Sequence, residues 1–345
     1  MLKKDVKSLN IEELESLVAE YSQPKFRAVQ LFKWLQSGVE DFDQMTDLPK
    51  SLRDCLKKDC YIATAKIVRR LQSEIDGTVK YLYELFDGET VESVLMKYEH
   101  GYSLCISSQV GCRMGCSFCA SGLNGLVRSL TASEMIAQIT TAQIDNNIRV
   151  SNIVMMGIGE PLDNFQNTVK FLQLVSHPKG LNIGLRHISV STSGVVSGIQ
   201  KLKQYNFPIT LSVSLHAPND SIRSKMMPVN KKWNVDALLK ACREYQKVTT
   251  RRISFEYALI DGVNDSKECA KELAEKLKGI MCHINLIPVN PVKENTFTKP
   301  DRNKILKFKG WLEMCNLNAT VRRTLGADIN ASCGQLRRKE GGESQ

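Results

Sequence analysis

The chain is 345 residues long, 42% hydrophobic and 24% charged, with eleven cysteines and a formal net charge of +10. That balance is ordinary for a globular chain with room for one large domain and a smaller one. Met1-Leu2-Lys3-Lys4-Asp5 is no apolar signal region and no apolar run reaches about 18 residues, so a membrane span is not expected, and a reducing cytoplasm suits the odd cysteine count better than a disulfide scaffold.

Residues 1–60 hold 10 Lys and Arg against 11 Asp and Glu, so the other 285 residues carry a net +11. An excess of that size suits a polyanionic partner such as nucleic acid, although many basic proteins bind none. Asn10 is placed to cap a helix in which Ile11, Leu14, Leu17 and Val18 follow the 3.6-residue period. A second helix is predicted over residues 25–36, with Val29, Phe32 and Leu35 on one face and Gly38 as its stop, and a third over 51–58 after Pro49. They read as a helical bundle over residues 1–60 that either packs on the core or meets a partner.

Strand patterns follow. Residues 79–86 and 90–96 are joined by Asp87-Gly88, the dipeptide of a tight hairpin turn, and an earlier strand at 67–71 ends before Asp76-Gly77. This reads as a small β module over 61–97. Beyond it, apolar runs at 102–107, 152–156, 187–191, 209–215, 253–260 and 283–289 alternate with helical stretches such as 132–144 and 235–247. Six strands with helices between them predict parallel βαβ units, whose sites gather at the carboxyl ends of the strands. The tail after Leu336 is polar and expected to be disordered.

Directly after the first of these runs stands Cys112-Arg113-Met114-Gly115-Cys116-Ser117-Phe118-Cys119. Three thiolates at one strand end suit an iron–sulfur cube that leaves one iron open. A structural zinc site wants four ligands, usually as two C-x2-C pairs, and no second pair is near; zinc and redox cysteines are the alternatives. Gly157-Ile158-Gly159-Glu160-Pro161 follows the second run, where glycines admit a ligand to the backbone and Glu160 offers a carboxylate to an ammonium group, although such a turn is common without a ligand. Ser191, then Ser214-Leu215-His216, then Asn290 end later strands; singly they read as strand-end cappers, together they ring the mouth of a barrel.

The cysteine spacing resembles the radical S-adenosylmethionine (SAM) superfamily. The resemblance narrows with Gly111-Cys112-Arg113-Met114-Gly115-Cys116, Met156-Gly157-Ile158-Gly159-Glu160-Pro161-Leu162, Ser214-Leu215-His216-Ala217 and Ala331-Ser332-Cys333-Gly334-Gln335-Leu336. Over residues 25–336 the chain is similar to bacterial radical SAM adenine-C2 methyltransferases, which act on 23S ribosomal RNA and, in some members, on a tRNA adenosine beside the anticodon. One departure is Ser121-Gly122-Leu123-Asn124-Gly125, where Asn124 is expected to tolerate a left-handed backbone.

The resemblance implies an α/β fold: a partial (β/α)6 radical SAM barrel over 98–330, preceded by the helical bundle and β module and followed by a C-terminal loop over 331–345. It further implies a 4Fe–4S cluster on Cys112, Cys116 and Cys119, SAM held by Gly159, Glu160, Ser191, Ser214, Leu215, His216 and Asn290, and an electron donor such as flavodoxin or ferredoxin; a monomer is expected. In the implied mechanism one SAM methylates Cys333, and a radical from a second SAM takes a hydrogen from that methyl group. The resulting carbon radical adds to adenine C2, Glu92 removes the C2 proton, and Cys105 resolves the adduct through a disulfide with Cys333. The resistance-conferring C8 methyltransferases share this machinery and are the nearest rival; a non-enzymatic iron–sulfur sensor or RNA-binding protein is the alternative of another class. Lys247, Arg251, Arg252, Arg322, Arg323, Arg337, Arg338 and Lys339 are candidates for a phosphate-binding rim, and the target base has to leave its stack.

Overall fold

The computed structural model describes residues 3–290 and 296–336. Arg337, Arg338, Lys339 and the rest of the polar tail lie outside the described residues. Helix α1 (Ile11–Glu20) starts at a capping box in which the Asn10 side chain takes the Glu13 N–H and Glu13 answers to the Asn10 N–H. Helix α2 (Phe26–Ser37) stops at Gly38, whose φ of 93° is left-handed, and α3 (Lys50–Asp59) follows Pro49. The parallel pairing of Lys4 and Asp5 with Cys60 and Tyr61 closes this bundle on itself. It docks on the body of the protein through the start of α4 (Ala132–Asn146), where the Ser133 N–H donates to Ser8 Oγ at 3.0 Å.

One ten-stranded sheet organises the rest, and its strands lie side by side in chain order. They are β1 (Lys66–Gln72), β2 (Val79–Glu84), β3 (Thr90–Tyr98), β4 (Gly101–Cys105), β5 (Val150–Met155), β6 (Ile188–Thr192), β7 (Thr210–Ser214), β8 (Ile253–Leu259), β9 (Cys282–Pro288) and β10 (Ala319–Val321). Strands β1 to β4 pair antiparallel, and β4 to β10 pair parallel. The six strands expected after residue 102 are β4 to β9. A seventh, β10, has only three residues and gives too short a pattern to read from sequence. The expected β module is joined edge to edge with the barrel strands through Val94 opposite Cys105, so it extends the core sheet.

Helices α5 (Phe165–Val175), α6 (Val196–Lys203), α7 (Asp220–Met226), α8 (Val235–Thr249), α9 (Lys267–Leu277) and α10 (Arg302–Met314) follow α4 as the crossovers. Along the parallel strands one row is apolar and buried in the main core, for example Leu211, Val213, Phe255, Ile284 and Leu286. The alternate row is polar: Ser212 and Ser214 on β7, Ser254 and Glu256 on β8, Asn285 on β9. Side chains two apart share a face, so the polar row lines the inside of the barrel and ends at its carboxyl mouth. No helix among the described residues is long and apolar enough to cross a membrane.

Candidate active site

The cysteine loop leaves β4 and is gripped at its base by a two-stranded ladder of Gln109–Gly111 with Leu126–Ser129. Gly111 has φ +74°, and a Cβ there would lie 2.0 Å from the Gly125 carbonyl oxygen, so only glycine fits. The Cys112 N–H donates to that same oxygen at 2.8 Å. In the departing segment it is Gly125, φ +66°, that is left-handed; Asn124 is absent from the left-handed residues, which corrects the role expected of it.

Cys112, Cys116 and Cys119 line one cleft enclosing about 930 Å3, part of it open to solvent. Burial pushes the Cys112 thiol up to about 12 and raises Cys116 and Cys119, and the neighbouring thiols add to each shift. Three thiols that resist ionising together fit a group whose positive charge reverses that balance. The trio offers three thiols where a closed structural zinc site wants four ligands, and so suits a multi-iron cluster with one open iron better.

Gly159, Glu160, Ser191, Ser214, His216 and Asn290 all line this cleft. Glu160 is buried, and its carboxylate accepts the Ser193 N–H at 2.6 Å and the Leu162 N–H at 3.0 Å. Burial nevertheless raises its pKa, which leaves it receptive to a cation. His216 occupies a left-handed φ of 59°, and its Nδ1 accepts the Ala258 N–H at 2.8 Å. That bond leaves the proton on Nε2, while burial, with the Arg223 charge behind it, lowers the pKa to about 3. The ring meets Phe118 of the cysteine loop edge-on, with centroids 4.9 Å apart. Leu215 does not reach the cleft: its side chain is fully buried in the core because it falls on the apolar row, and only its backbone serves the site.

Cys333 lines the same cleft, which the sequence places more than two hundred residues away. Its loop is tied to the cysteine loop by Ala120 N–H to Gly334 O at 2.8 Å and Ser121 Oγ to Leu336 O at 2.8 Å. Asn290 Nδ2 donates to the Cys333 carbonyl at 3.0 Å. Cys105 and Glu92 are not among the residues lining the cleft. Cys105 packs under the same loop with Val94, Ala331 and Leu336, and burial pushes its thiol up to about 12, with Cys333 as the next contribution. Glu92 is 3% exposed and pairs with Lys80 Nζ at 2.9 Å, whereas strand alternation would set it in solvent. The difference arises because the C-terminal loop covers that face of β3: Lys80 also donates to the Asn330 carbonyl. All eleven cysteines are free thiols, Cys105 and Cys333 included.

Sequence reasoning missed two charged groups. Glu256 lines the cleft and takes hydrogen bonds from Ser254 Oγ at 2.9 Å and Asn285 Nδ2 at 2.6 Å; the period-two polar row of β8 was its signal. Arg223 is fully buried on α7 and donates to the carbonyls of Ser193, Ser214 and Leu215 and to Asn230 Oδ1, so it locks the ends of β6 and β7. Arg322, expected on a surface rim, lines the cleft instead.

Residues 106–277 match the model of the radical SAM superfamily, and residues 4–62 match that of the ribosomal RNA large subunit methyltransferase N-terminal domain. The chain is 53% identical over 339 residues to a protein of Alkaliphilus oremlandii named probable dual-specificity RNA methyltransferase RlmN, covering 98% of this chain and 99% of that one. A protein of the same name from Lachnospira eligens is 51% identical over 336 residues, covering 97% and 96%. The crystal structure of a radical SAM methyltransferase from Sphaerobacter thermophilus superposes with a TM-score of 0.92 at 43% identity, covering 96% of this chain and 99% of that one.

Proposed function

The chain belongs to the radical SAM dual-specificity RNA methyltransferase family, and from that premise we propose that it methylates C2 of an adenosine in 23S ribosomal RNA, and in tRNA beside the anticodon, through an S-methyl group on Cys333. The observation that carries this reading is the presence of Cys333 in the wall of the cleft that Cys112, Cys116 and Cys119 share. Those three cysteines would hold a 4Fe–4S cluster, and Glu160 would take the ammonium group of SAM. When bound, the two groups supply an electron, a methyl group and a radical able to take a hydrogen atom from a thioether.

Cys333 then serves as the carrier. Adenine C2 is an electron-poor ring carbon that cannot displace a methyl group from a sulfonium, but a carbon radical can add to it. Delivery from a thioether on Cys333 supplies that radical carbon and tethers the RNA to the chain. Glu92, fixed in place by Lys80, receives the C2 proton, and the unpaired electron would pass back to the redox group that the three cluster cysteines hold. Cys105 then releases the product by joining Cys333 in a disulfide as the C–S bond breaks, its thiol proton completing the methyl group on C2. Burial disfavours the Cys105 thiolate, which keeps that sulfur protonated until the tethered adduct forms. The electron donor is of the flavodoxin or ferredoxin class and the working unit is a monomer.

Anaerobic reconstitution with iron, sulfide, SAM, a reductant and an RNA fragment tests the reading. It predicts 5′-deoxyadenosine and 2-methyladenosine. Production of 8-methyladenosine in place of 2-methyladenosine would reassign the position, and a protein making neither nucleoside product would refute the function.

A further inference from the structure

Cys333 borders a second cavity of about 400 Å3 that none of the three cluster cysteines touches. A third, of about 570 Å3, shares Met96, Tyr98 and Arg322 with the second. The walls of these spaces differ in charge from those of the cofactor cleft. The cleft contains the carboxylates of Glu160 and Glu256 together with Arg322. The second and third cavities contain Arg186, Arg322 and Arg323 and no Asp or Glu. SAM is cationic at its sulfonium and ammonium groups, whereas an RNA strand is anionic and presents bases that stack. The two sets of walls thus sort two ligands by charge, and Cys333 stands in the partition.

Tyr98 lines both the second and the third cavity. Its ring is already stacked on His100, with centroids 5.2 Å apart and planes 15° from parallel. Among the described residues its hydroxyl reaches only the Met96 sulfur, at 3.7 Å. An aromatic face with a weakly held hydroxyl next to arginines is the combination that receives an unstacked base and its phosphates.

We infer that the second and third cavities are the RNA entry path, in which the flipped adenosine stacks on Tyr98 beside Cys333 and Arg186, Arg322 and Arg323 take the flanking phosphates. This rests on the functional reading above. The assignment predicts which contacts are sequence-blind: the arginines act on any strand, and Tyr98 acts on any base.

The test is fluorescence anisotropy of a labelled RNA stem-loop with an adenosine in its loop, over a series of salt concentrations, on reconstituted full-length protein. Arg186→Gln and Arg323→Gln should each weaken binding several-fold and lower the slope of log affinity against log salt by about one. Tyr98→Ala should weaken binding on the order of tenfold, with Tyr98→Phe close to wild type. Iron content and SAM binding show whether each variant is folded, and the two arginine variants stand independently if Tyr98→Ala is not. Wild-type affinity and salt slope in both arginine variants overturn the path. The functional reading is scored separately, by one added methyl on Cys333 in RNA-free wild-type protein and its transfer to the stem-loop. Transfer with unaltered binding in the variants removes the path alone, whereas a wild-type protein that binds no RNA removes both.

Discussion

The loop carrying Cys112, Cys116 and Cys119 and the loop carrying Cys333 meet in one cleft, yet they are held by different means. The first is closed by a β-ladder at its base, with backbone bonds from Cys112 to Gly125 and from Ser117 to Met226. The second runs from Arg322 to Leu336 with only a single turn of 3-10 helix, Ala327–Ile329, as regular structure. Its anchors come largely from side chains elsewhere: Asn290 to Cys333, Ser121 to Leu336 and Lys80 to Asn330. A cluster scaffold has to keep three sulfurs in fixed relation, and backbone ladders do that. The carrier proposed on Cys333 has to serve two ligands in turn, and side-chain anchors can be exchanged one at a time at about 1 kcal/mol each.

The comparison breaks most sharply at the cysteines themselves. Cys333→Ala should reduce RNA methylation to background while leaving iron content and visible absorption unchanged. Cys112→Ala should remove the cluster, read as lost iron and sulfide. Cluster loss in Cys333→Ala would merge the two loops into one structural unit.

Acid tests the contact between the cluster loop and the barrel. The pKa of His216 is lowered from 6.5 to about 3 in the fold, so below pH 6.5 the unfolded chain binds a proton that the folded ring refuses. Stability from this group is complete above pH 6.5 and is lost as the pH falls toward 3, by roughly 5 kcal/mol in all. Urea unfolding across that range should show the loss, and His216→Gln, which still offers an acceptor to the Ala258 N–H, should flatten it.

Glycines sharpen the contrast further. Gly111→Ala meets the Gly125 carbonyl at 2.0 Å and should cost about 3 kcal/mol or more, with reduced cluster content. Gly334→Ala, at φ +80° with its nearest neighbour 3.3 Å away, should cost about 1–2 kcal/mol and keep the cluster. Chemical denaturation with iron assays separates the two. Smallest of all, Asn290→Ala removes one hydrogen bond to the Cys333 loop and should slow RNA methylation by roughly fivefold to tenfold at unchanged cluster content, seen in single-turnover assays.

The same contrast explains what could be read from sequence. Capping at Asn10, the stop at Gly38 and the six strands β4 to β9 are local patterns, and each lies in the structure within a few residues of its expected place. Cys112, Cys116, Cys119, Glu160 and His216 were legible because they sit at strand ends, where chain order alone brings them together. Glu92 was picked out for its chemistry, but its burial was not legible, because alternation reports a strand's faces but not the distant loop that covers one of them. Leu215 was placed in the cleft by its neighbours, although its parity puts it in the core. Glu256 was overlooked, and Arg322 was assigned to a surface rim, because the interior of a barrel is a polar row, and a search for apolar runs passes over it.

The central claim is that the methyl group reaching RNA first resides on Cys333. Protein methylated at Cys333 with deuterated SAM, freed of excess SAM, and then given unlabelled SAM, reductant and the RNA fragment for one turnover decides it. The account predicts methyladenosine containing deuterium from the preloaded methyl group. First-turnover methyladenosine free of deuterium would contradict it.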